Sequence, residues 1–113
     1  ARRAQTAMVV LVTCPSSAVA RRLSRRLVTG RLAACVNIVP GVESLFWWQG
    51  KADQAREALL VIKTTARKLA QLERAVVSLH PYEVPEVIAI PVTAGHAPYL
   101  RWIAASVAEG GGA

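Results

Sequence analysis

The chain has 113 residues, of which 53% are hydrophobic, and its net charge at pH 7 is +7. This length suits one domain with a single core and excludes two. The apolar runs are far shorter than the roughly 20 residues of a membrane span, so we expect a soluble domain over 1–113 with an ordered core over about 7–108 and flexible termini.

The first elements are a buried strand and an amphipathic helix. Residues 7–12, Ala-Met-Val-Val-Leu-Val, are continuously apolar, which predicts strand β1. Pro15, Ser16 and Ser17 favour a helix start and Gly30 favours its end, so helix α1 is predicted over 17–29. Its apolar side chains share one arc, and the neighbouring arc holds a set of arginines, Arg21, Arg22, Arg25 and Arg26.

A long hairpin is predicted next. The apolar run 32–39 is interrupted by Pro40-Gly41 and resumes over 42–48, which indicates a bulged or kinked strand β2. Gln49-Gly50-Lys51 resembles a hairpin turn. The apolar run 58–62, ending at residues 63–65, then completes a long strand β3.

Three further elements complete the chain. Leu69, Leu72, Val76 and Leu79 repeat at helical spacing and predict helix α2, ending near His80. Residues 86–92 predict strand β4, in which Pro91 indicates a bulge or an edge position. A short helix α3 is expected over 96–107.

The order β-α-β-β-α-β-α is that of the split βαβ arrangement of ferredoxin-like α+β folds. This βαββαβ core, here with a C-terminal helix, has an antiparallel sheet with helices on one face. The other face is then uncovered. Because the composition is so apolar, we expect that face or the hairpin edges to be buried by further copies of the chain in a closed homo-oligomer.

The connector Leu79-His80-Pro81-Tyr82-Glu83-Val84-Pro85-Glu86 places an imidazole, a phenol and two carboxylates on one extended segment. Polar side chains on such loops often bind ligands. The alternative is that His80 only caps helix α2 and Glu83 is solvated.

Cys14 and Cys35 lack the spacing of a zinc site or a disulfide scaffold, which favours a reducing compartment. The segment 1–7 has two arginines but no apolar stretch, so it is not an intact signal peptide. We expect the cytoplasm, with an organelle after removal of a transit segment as the alternative.

Seven short sequence motifs, by their residues, their order and their spacing, resemble those of the CutA family of divalent-ion tolerance proteins. They are Val-Thr-Cys-Pro at 12–15, Arg-Leu-Ala-Ala-Cys-Val-Asn at 31–37, Val-Pro-Gly-Val at 39–42, Phe-Trp-Trp-Gln-Gly-Lys at 46–51, Ile-Lys-Thr at 62–64, His-Pro-Tyr-Glu-Val-Pro-Glu at 80–86 and Tyr-Leu-Arg-Trp at 99–102. The resemblance implies a ferredoxin-like homotrimer whose subunits extend long hairpins onto their neighbours.

The resemblance also implies a role in tolerance of copper and other divalent ions, with weak metal binding and no organic cofactor. It points to His80 and Cys14 as metal ligands, although Leu79 stands where bacterial relatives have a second histidine and Cys14 is displaced in its local pattern. His96 is a further soft-ion candidate. The alternative for Cys14 is simple packing in the core, the role we expect for Cys35.

Family resemblance places Glu57, Lys63, Tyr82, Glu83 and Trp102 near a cleft between subunits. Such a set suits a small charged ligand. It suits an intersubunit salt bridge equally well. Trp47, Trp48 and Trp102 are expected to be interface or core anchors.

Two functions are expected, and two other classes of function are not. The first is metal tolerance or signalling; the second is a trimeric scaffold for a protein partner, as in the acetylcholinesterase-anchoring relatives, without metal chemistry. No nucleophile, base and orienting group form a visible set, so we expect no enzyme. The strands lack the stacking aromatics of RNA-recognition modules, so we expect a solvated arginine face and no nucleic acid.

Overall fold

The computed structural model describes residues 5–108, and the predictions of flexible termini at 1–4 and 109–113 lie outside that range. The elements are β1 (Ala7–Cys14), α1 (Ser17–Thr29), β2 (Cys35–Trp48), β3 (Lys51–Thr65), a 3₁₀ turn (Ala66–Lys68), α2 (Leu69–Leu79), β4 (Ile88–Pro91) and α3 (Ala97–Ala108).

The four strands form one sheet in the order β2-β3-β1-β4. Each neighbouring pair is antiparallel. The α+β, ferredoxin-like prediction is therefore confirmed, and β4 with its Pro91 lies at the sheet edge, where a residue without an N–H is tolerated.

The main core lies between the sheet and helices α1 and α2. Helix α1 begins where the Ser16 hydroxyl accepts a hydrogen bond from the Val19 N–H at 3.2 Å. The fully buried side chains of this core include Val10, Val12, Leu60, Ile62, Leu72 and Val76. All four arginines of α1 point to solvent. These contacts fix β1 and β3 at the centre of the sheet.

The β2–β3 hairpin is much longer than the other strands. Its register shifts between Val39 and Val42, at the predicted Pro40-Gly41 bulge, where Gly41 has a φ of 71°. Gln49 and Gly50 form the turn with φ angles of 52° and 78°. Positive φ at both central residues is the geometry of a tight hairpin turn that matches the twist of its strands.

The sheet face opposite α1 and α2, here called the outer face, carries Val9, Leu11, Ile88 and Ile90. Val9 and Leu11 alternate with the buried Val10 and Val12, and they lie opposite Ile90 and Ile88 in the register. Ile88 is 52% exposed and Ile90 is 49% exposed. A single chain therefore leaves part of its sheet without apolar cover.

Two local predictions were wrong. Strand β4 covers only Ile88–Pro91 rather than 86–92, because Pro85 keeps the preceding connector out of the ladder. Beyond Pro91 one backbone hydrogen bond, from the Val92 N–H to the Ala7 carbonyl oxygen at 2.9 Å, still reaches β1. Cys35 is half-buried rather than a core thiol. It alternates with Val36, which packs against the core, so its own side chain lies on the other side of the strand.

Candidate functional site: an acidic cleft beside the His80 connector

A cleft of about 730 Å³ lies between the β2–β3 hairpin and the connector that follows α2. We call it the acidic cleft. Its lining residues are Thr13, Glu43, Ser44, Leu45, Phe46, Trp48, Asp53, Gln54, Ala55, Glu57, Tyr82, Glu83, Val84 and Glu86. The bulge in β2 places Val42 opposite Glu57, and the pairing continues from there to the hairpin turn. The cleft thus combines one long ribbon with one extended loop.

His80 is fixed at the start of the connector by both of its ring nitrogens. Nδ1 accepts a hydrogen bond from the Tyr82 N–H at 3.1 Å. Nε2 lies 2.7 Å from the Thr13 carbonyl oxygen and therefore donates to it. This arrangement ties the connector to the end of β1 and holds the imidazole as the neutral tautomer with its proton on Nε2.

Glu57 and Tyr82 form the inner wall of the cleft. Glu57 is only 8% exposed, and its Oε2 accepts a hydrogen bond from the Tyr82 hydroxyl at 2.7 Å. Burial, followed by the hydrogen bond and the charge of Glu57, raises the pKa of Tyr82 to about 12. The phenol is therefore a neutral donor throughout the physiological range.

Cys14 lies beside this pair, at the end of β1. Its side chain is fully buried and belongs to the main core. Burial, with a smaller contribution from the charge of Glu57, raises the pKa of Cys14 to about 11. The thiol is protonated at neutral pH, and its surroundings match the packing alternative for this residue.

The arrangement offers no open coordination site at Cys14 and His80. Both nitrogens of His80 are engaged, and the Cys14 thiol keeps its proton. Within residues 5–108, no group of three or more His, Cys, Asp and Glu side chains is disposed to hold a metal ion. His96 is exposed at the start of α3. An ion at Cys14 or His80 would have to replace existing contacts.

The structure brings together only three of the five residues that were predicted to lie near a cleft between subunits. Glu57, Tyr82 and Glu83 all line the cleft. Lys63 instead donates a hydrogen bond to Asn37 on the neighbouring strand. Trp102 stacks on Tyr99 within α3 at a ring separation of 5.5 Å. Neither Lys63 nor Trp102 lines the cleft of a single chain.

Several cleft residues were missed by sequence reasoning. Glu43, Asp53, Phe46 and Trp48 come from the hairpin, where alternation alone does not tell which face meets the connector. The signal that was available is the bulge at Pro40-Gly41, which redirects every following side chain of β2. The acidic character of the cleft emerges only when ribbon and connector are placed together.

Comparisons with known proteins agree over most of the chain. The sequence profile of a family described as CutA1 divalent ion tolerance protein matches residues 8–106. The "Divalent-cation tolerance protein CutA" of Thermus thermophilus is 50% identical over 95 residues, which cover 84% of this chain and 92% of that protein. The "Protein CutA homolog" of Xenopus laevis is 47% identical over 98 residues, covering 87% and 65%. "Protein CutA 1, chloroplastic" of Oryza sativa is 46% identical over 102 residues, covering 90% and 58%.

The chain thus spans most of the bacterial relative but less than two thirds of the frog and rice relatives. Among solved structures, CutA from Xylella fastidiosa superposes with a TM-score of 0.88 at 40% identity, covering 90% of this chain and 98% of that one. CutA1 from Oryza sativa gives 0.87 at 45% identity, covering 90% and 95%. Within residues 5–108, no helix has the length and apolar character needed to cross a membrane.

Proposed function

The chain belongs to the CutA1 family of divalent ion tolerance proteins, and we propose that it acts as a homotrimer in tolerance of divalent cations. The observation that supports an oligomer is the exposed apolar surface of one chain, and the number three comes from the family resemblance. Large side chains on the outer face and on the hairpin are 40–80% exposed in one chain, among them Leu45 at 79%, Trp47 at 78% and Ile88 at 52%. Removal of such surface from water favours association by about 25 cal/mol per Å² before the entropic cost of assembly is subtracted, and closed symmetry lets identical patches cover one another.

Within this trimer we propose weak binding of copper or another divalent cation, with Cys14 and His80 as the first candidate ligands. The existing contacts explain why binding is weak. An ion at His80 must displace a hydrogen bond to Thr13 or Tyr82, at a cost of about 1 kcal/mol. An ion at Cys14 must remove a proton from a group of pKa about 11, which costs about 5 kcal/mol at pH 7.

The second candidate is a trimeric scaffold for a protein partner, without metal chemistry and without catalysis. One observation favours it. His80 serves as a tie between β1 and the connector, which engages both of its ring nitrogens in structural hydrogen bonds.

A calorimetric titration separates the two candidates. The reduced, metal-free trimer is titrated with Cu(I), Cu(II) and Zn(II), in parallel with Cys14→Ser and His80→Ala and with the oligomer mass checked by light scattering. Metal tolerance through this site predicts saturable binding with a Kd of about 10 µM or weaker that is lost in either variant. Absence of binding to the parent protein, or binding that is unchanged from the parent in both variants, would move the assignment to the scaffold.

The compartment we propose is the cytoplasm, with an organelle as the alternative. The reduced state of the two free cysteines supports either one. The name of the rice relative, which specifies the chloroplast, supports the organelle. Fractionation of the source cells with a marker for each compartment distinguishes the two.

A further inference from the structure

Helix α1 carries four exposed arginines and no acidic residue. We call Arg21, Arg22, Arg25 and Arg26 the basic face. Among residues 5–108 none of the four forms an ion pair, since the one pair there joins Arg56 and Glu43. The helix packs on the side of the sheet opposite to the outer face, so an assembly made through the outer face does not use the basic face. This surface is therefore a property of the assembly as well as of one chain.

The spacing of these arginines is unfavourable for the helix by itself. Arg21 and Arg25 are four positions apart, and so are Arg22 and Arg26, which brings like charges together on the helix surface. No acidic side chain occupies the first turn, where a carboxylate would be favourable. The core does not require the arginines either, because α1 is buried through other residues. A local arrangement that opposes the stability of its own element is typical of a functional surface.

A small notch lies in the basic face, where α1 meets the end of α2. Its volume is about 50 Å³, and Val19, Arg22, Leu23, Arg26 and Leu79 line it. Leu23 is buried, whereas the two arginines are exposed. Sites for drug-sized ligands are several times larger. The notch instead suits one small aliphatic side chain lying between two guanidinium groups.

The combination of charge and notch indicates the class of partner. Guanidinium groups bind carboxylates through paired hydrogen bonds. Single-stranded nucleic acid is bound largely by stacking on aromatic side chains, of which α1 has none, and its backbone offers no aliphatic group for the notch. Helices that lie in a membrane surface present large apolar side chains to it, whereas Leu23 and Leu27 are buried in the core. An acidic polypeptide fits these features best.

We propose that the basic face of α1 docks an acidic segment of a partner protein, with carboxylates against the arginines and one small aliphatic side chain in the notch between Arg22 and Arg26. The proposal gives the scaffold candidate a partner of defined chemistry. It does not rest on the metal role or on the number of copies in the assembly, because every copy offers the same helix. Several copies would bind a long acidic segment more tightly than one copy does.

The first test measures peptide binding to the intact protein in its own oligomeric state by fluorescence anisotropy. The probe is a labelled peptide of seven glutamates around a central valine. A second peptide has glycine in place of the valine, and a third has glutamine in place of every glutamate. We expect the glutamine peptide to bind at least about tenfold more weakly than the probe and the glycine peptide at least about threefold more weakly. No binding of the probe at low salt, or equal binding of all three peptides, would overturn the proposal.

A matched pair of double variants locates the surface. Arg22→Gln/Arg26→Gln removes two charges at the notch, and Arg67→Gln/Arg74→Gln removes two exposed charges that do not line it. We expect the first pair to weaken binding of the probe about tenfold or more and the second by about threefold at most. Equal effects would refute the assignment to the basic face. Metal titration and light scattering should match the parent in both, so failure here is distinct from failure of the metal or trimer assignment.

A competition experiment addresses the two other classes of polyanion. Unlabelled probe is compared with an oligothymidine that carries seven phosphates and with phosphatidylserine vesicles as competitors of the labelled peptide. The proposal predicts that the acidic peptide is the strongest competitor at equal concentration of negative charge, because only it can fill the notch as well as pair with the arginines. Equal or stronger displacement by the oligonucleotide would assign the basic face to nucleic acid, and the same result with vesicles would assign it to a membrane surface. Either result contradicts the proposal.

Discussion

At the residue scale, the end of β1 is organised around neutral groups beside one buried carboxylate. Burial and then Glu57 raise the pKa of both the Cys14 thiol and the Tyr82 phenol. His80 contributes a fixed neutral tautomer by bonding to Thr13 and Tyr82. Within residues 5–108 of one chain, the side chain of Glu57 therefore has a neutral phenol as its hydrogen-bond partner and forms no ion pair.

The two cysteines are expected to differ sharply in reactivity. Cys14 is fully buried with a pKa of about 11, whereas Cys35 is partly exposed. At pH 8 the thiolate fraction of Cys14 is lower than that of an ordinary thiol by about a hundredfold, and burial slows its reaction further. Mass spectrometry after brief alkylation should find one label, at Cys35, and none in Cys35→Ser. Rapid labelling of the folded Cys35→Ser protein would contradict this environment for Cys14.

The Cys14 thiol also gives stability a defined pH dependence. Its pKa in the folded chain is raised from the ordinary value of 9.0 to about 11, so the folded state holds the proton more tightly than the unfolded state. This contribution is fully present below pH 9 and is lost as the pH rises through 11. Between pH 8 and pH 10.5, the denaturant midpoint should fall less in Cys14→Ser than in the parent protein. Cys35→Ser is the control and should fall as the parent does.

In this region the sequence indicated which residues are displayed better than it indicated their hydrogen-bond partners. Two prolines mark an extended connector, so His80 and Tyr82 were recognisable as displayed groups. The partner of His80 is Thr13, 67 positions away along the chain. That hydrogen bond depends on how α2 packs on the sheet, so it cannot be predicted from the sequence around His80 alone. The burial of Glu57 likewise depends on Tyr82 reaching across to β3.

At the element scale, the β2–β3 hairpin carries the features that build the cleft. Its turn places Gln49 at a φ of 52° and Gly50 at 78°. Glycine tolerates this region without cost, whereas a residue with a Cβ is strained by about 1 kcal/mol. Asparagine tolerates it better than most other side chains, and Asn-Gly is the preferred pair for such turns.

Replacement of the turn residues should therefore change stability in opposite directions. Gln49→Asn is expected to raise the free energy of unfolding by about 0.5 kcal/mol per chain, and Gly50→Ala to lower it by about 1 kcal/mol. No atom lies within 4 Å of a Cβ built at Gly50, so the loss reflects backbone strain alone. Denaturant titration measures both. Equal stability of the two variants would contradict the turn geometry.

Local signals predicted the helices more closely than the short strand. Helix α1 was predicted over its observed range, because Ser16 caps its start and a buried arc repeats through it. Strand β4 was predicted too long, because apolar residues continue on both sides of the four that pair with β1. Pairing with β1 sets its length, and this is a property of the sheet rather than of the segment.

At the scale of the whole molecule, one chain leaves much of its apolar surface uncovered. The outer face presents Ile88 and Ile90, each about half-exposed, and the hairpin extends Leu45 and Trp47 into solvent. The longest dimension of the described chain is 43 Å against 28 and 22 Å for the other two. A projecting apolar ribbon beside an open sheet face is a geometry in which three copies can cover one another. Composition indicated an oligomer, whereas the number three came from family resemblance.

The mass of the assembly in solution, measured by light scattering, is the decisive measurement for assembly through the outer face. A homotrimer has three times the 12.1 kDa of the chain. Ile90→Lys places a charge on the outer face and should reduce the mass while circular dichroism shows the fold retained. Val77→Lys makes the same change at a site of similar exposure on α2 and should remain trimeric. A monomeric parent protein, or a trimer unaffected by Ile90→Lys, would contradict assembly through the outer face.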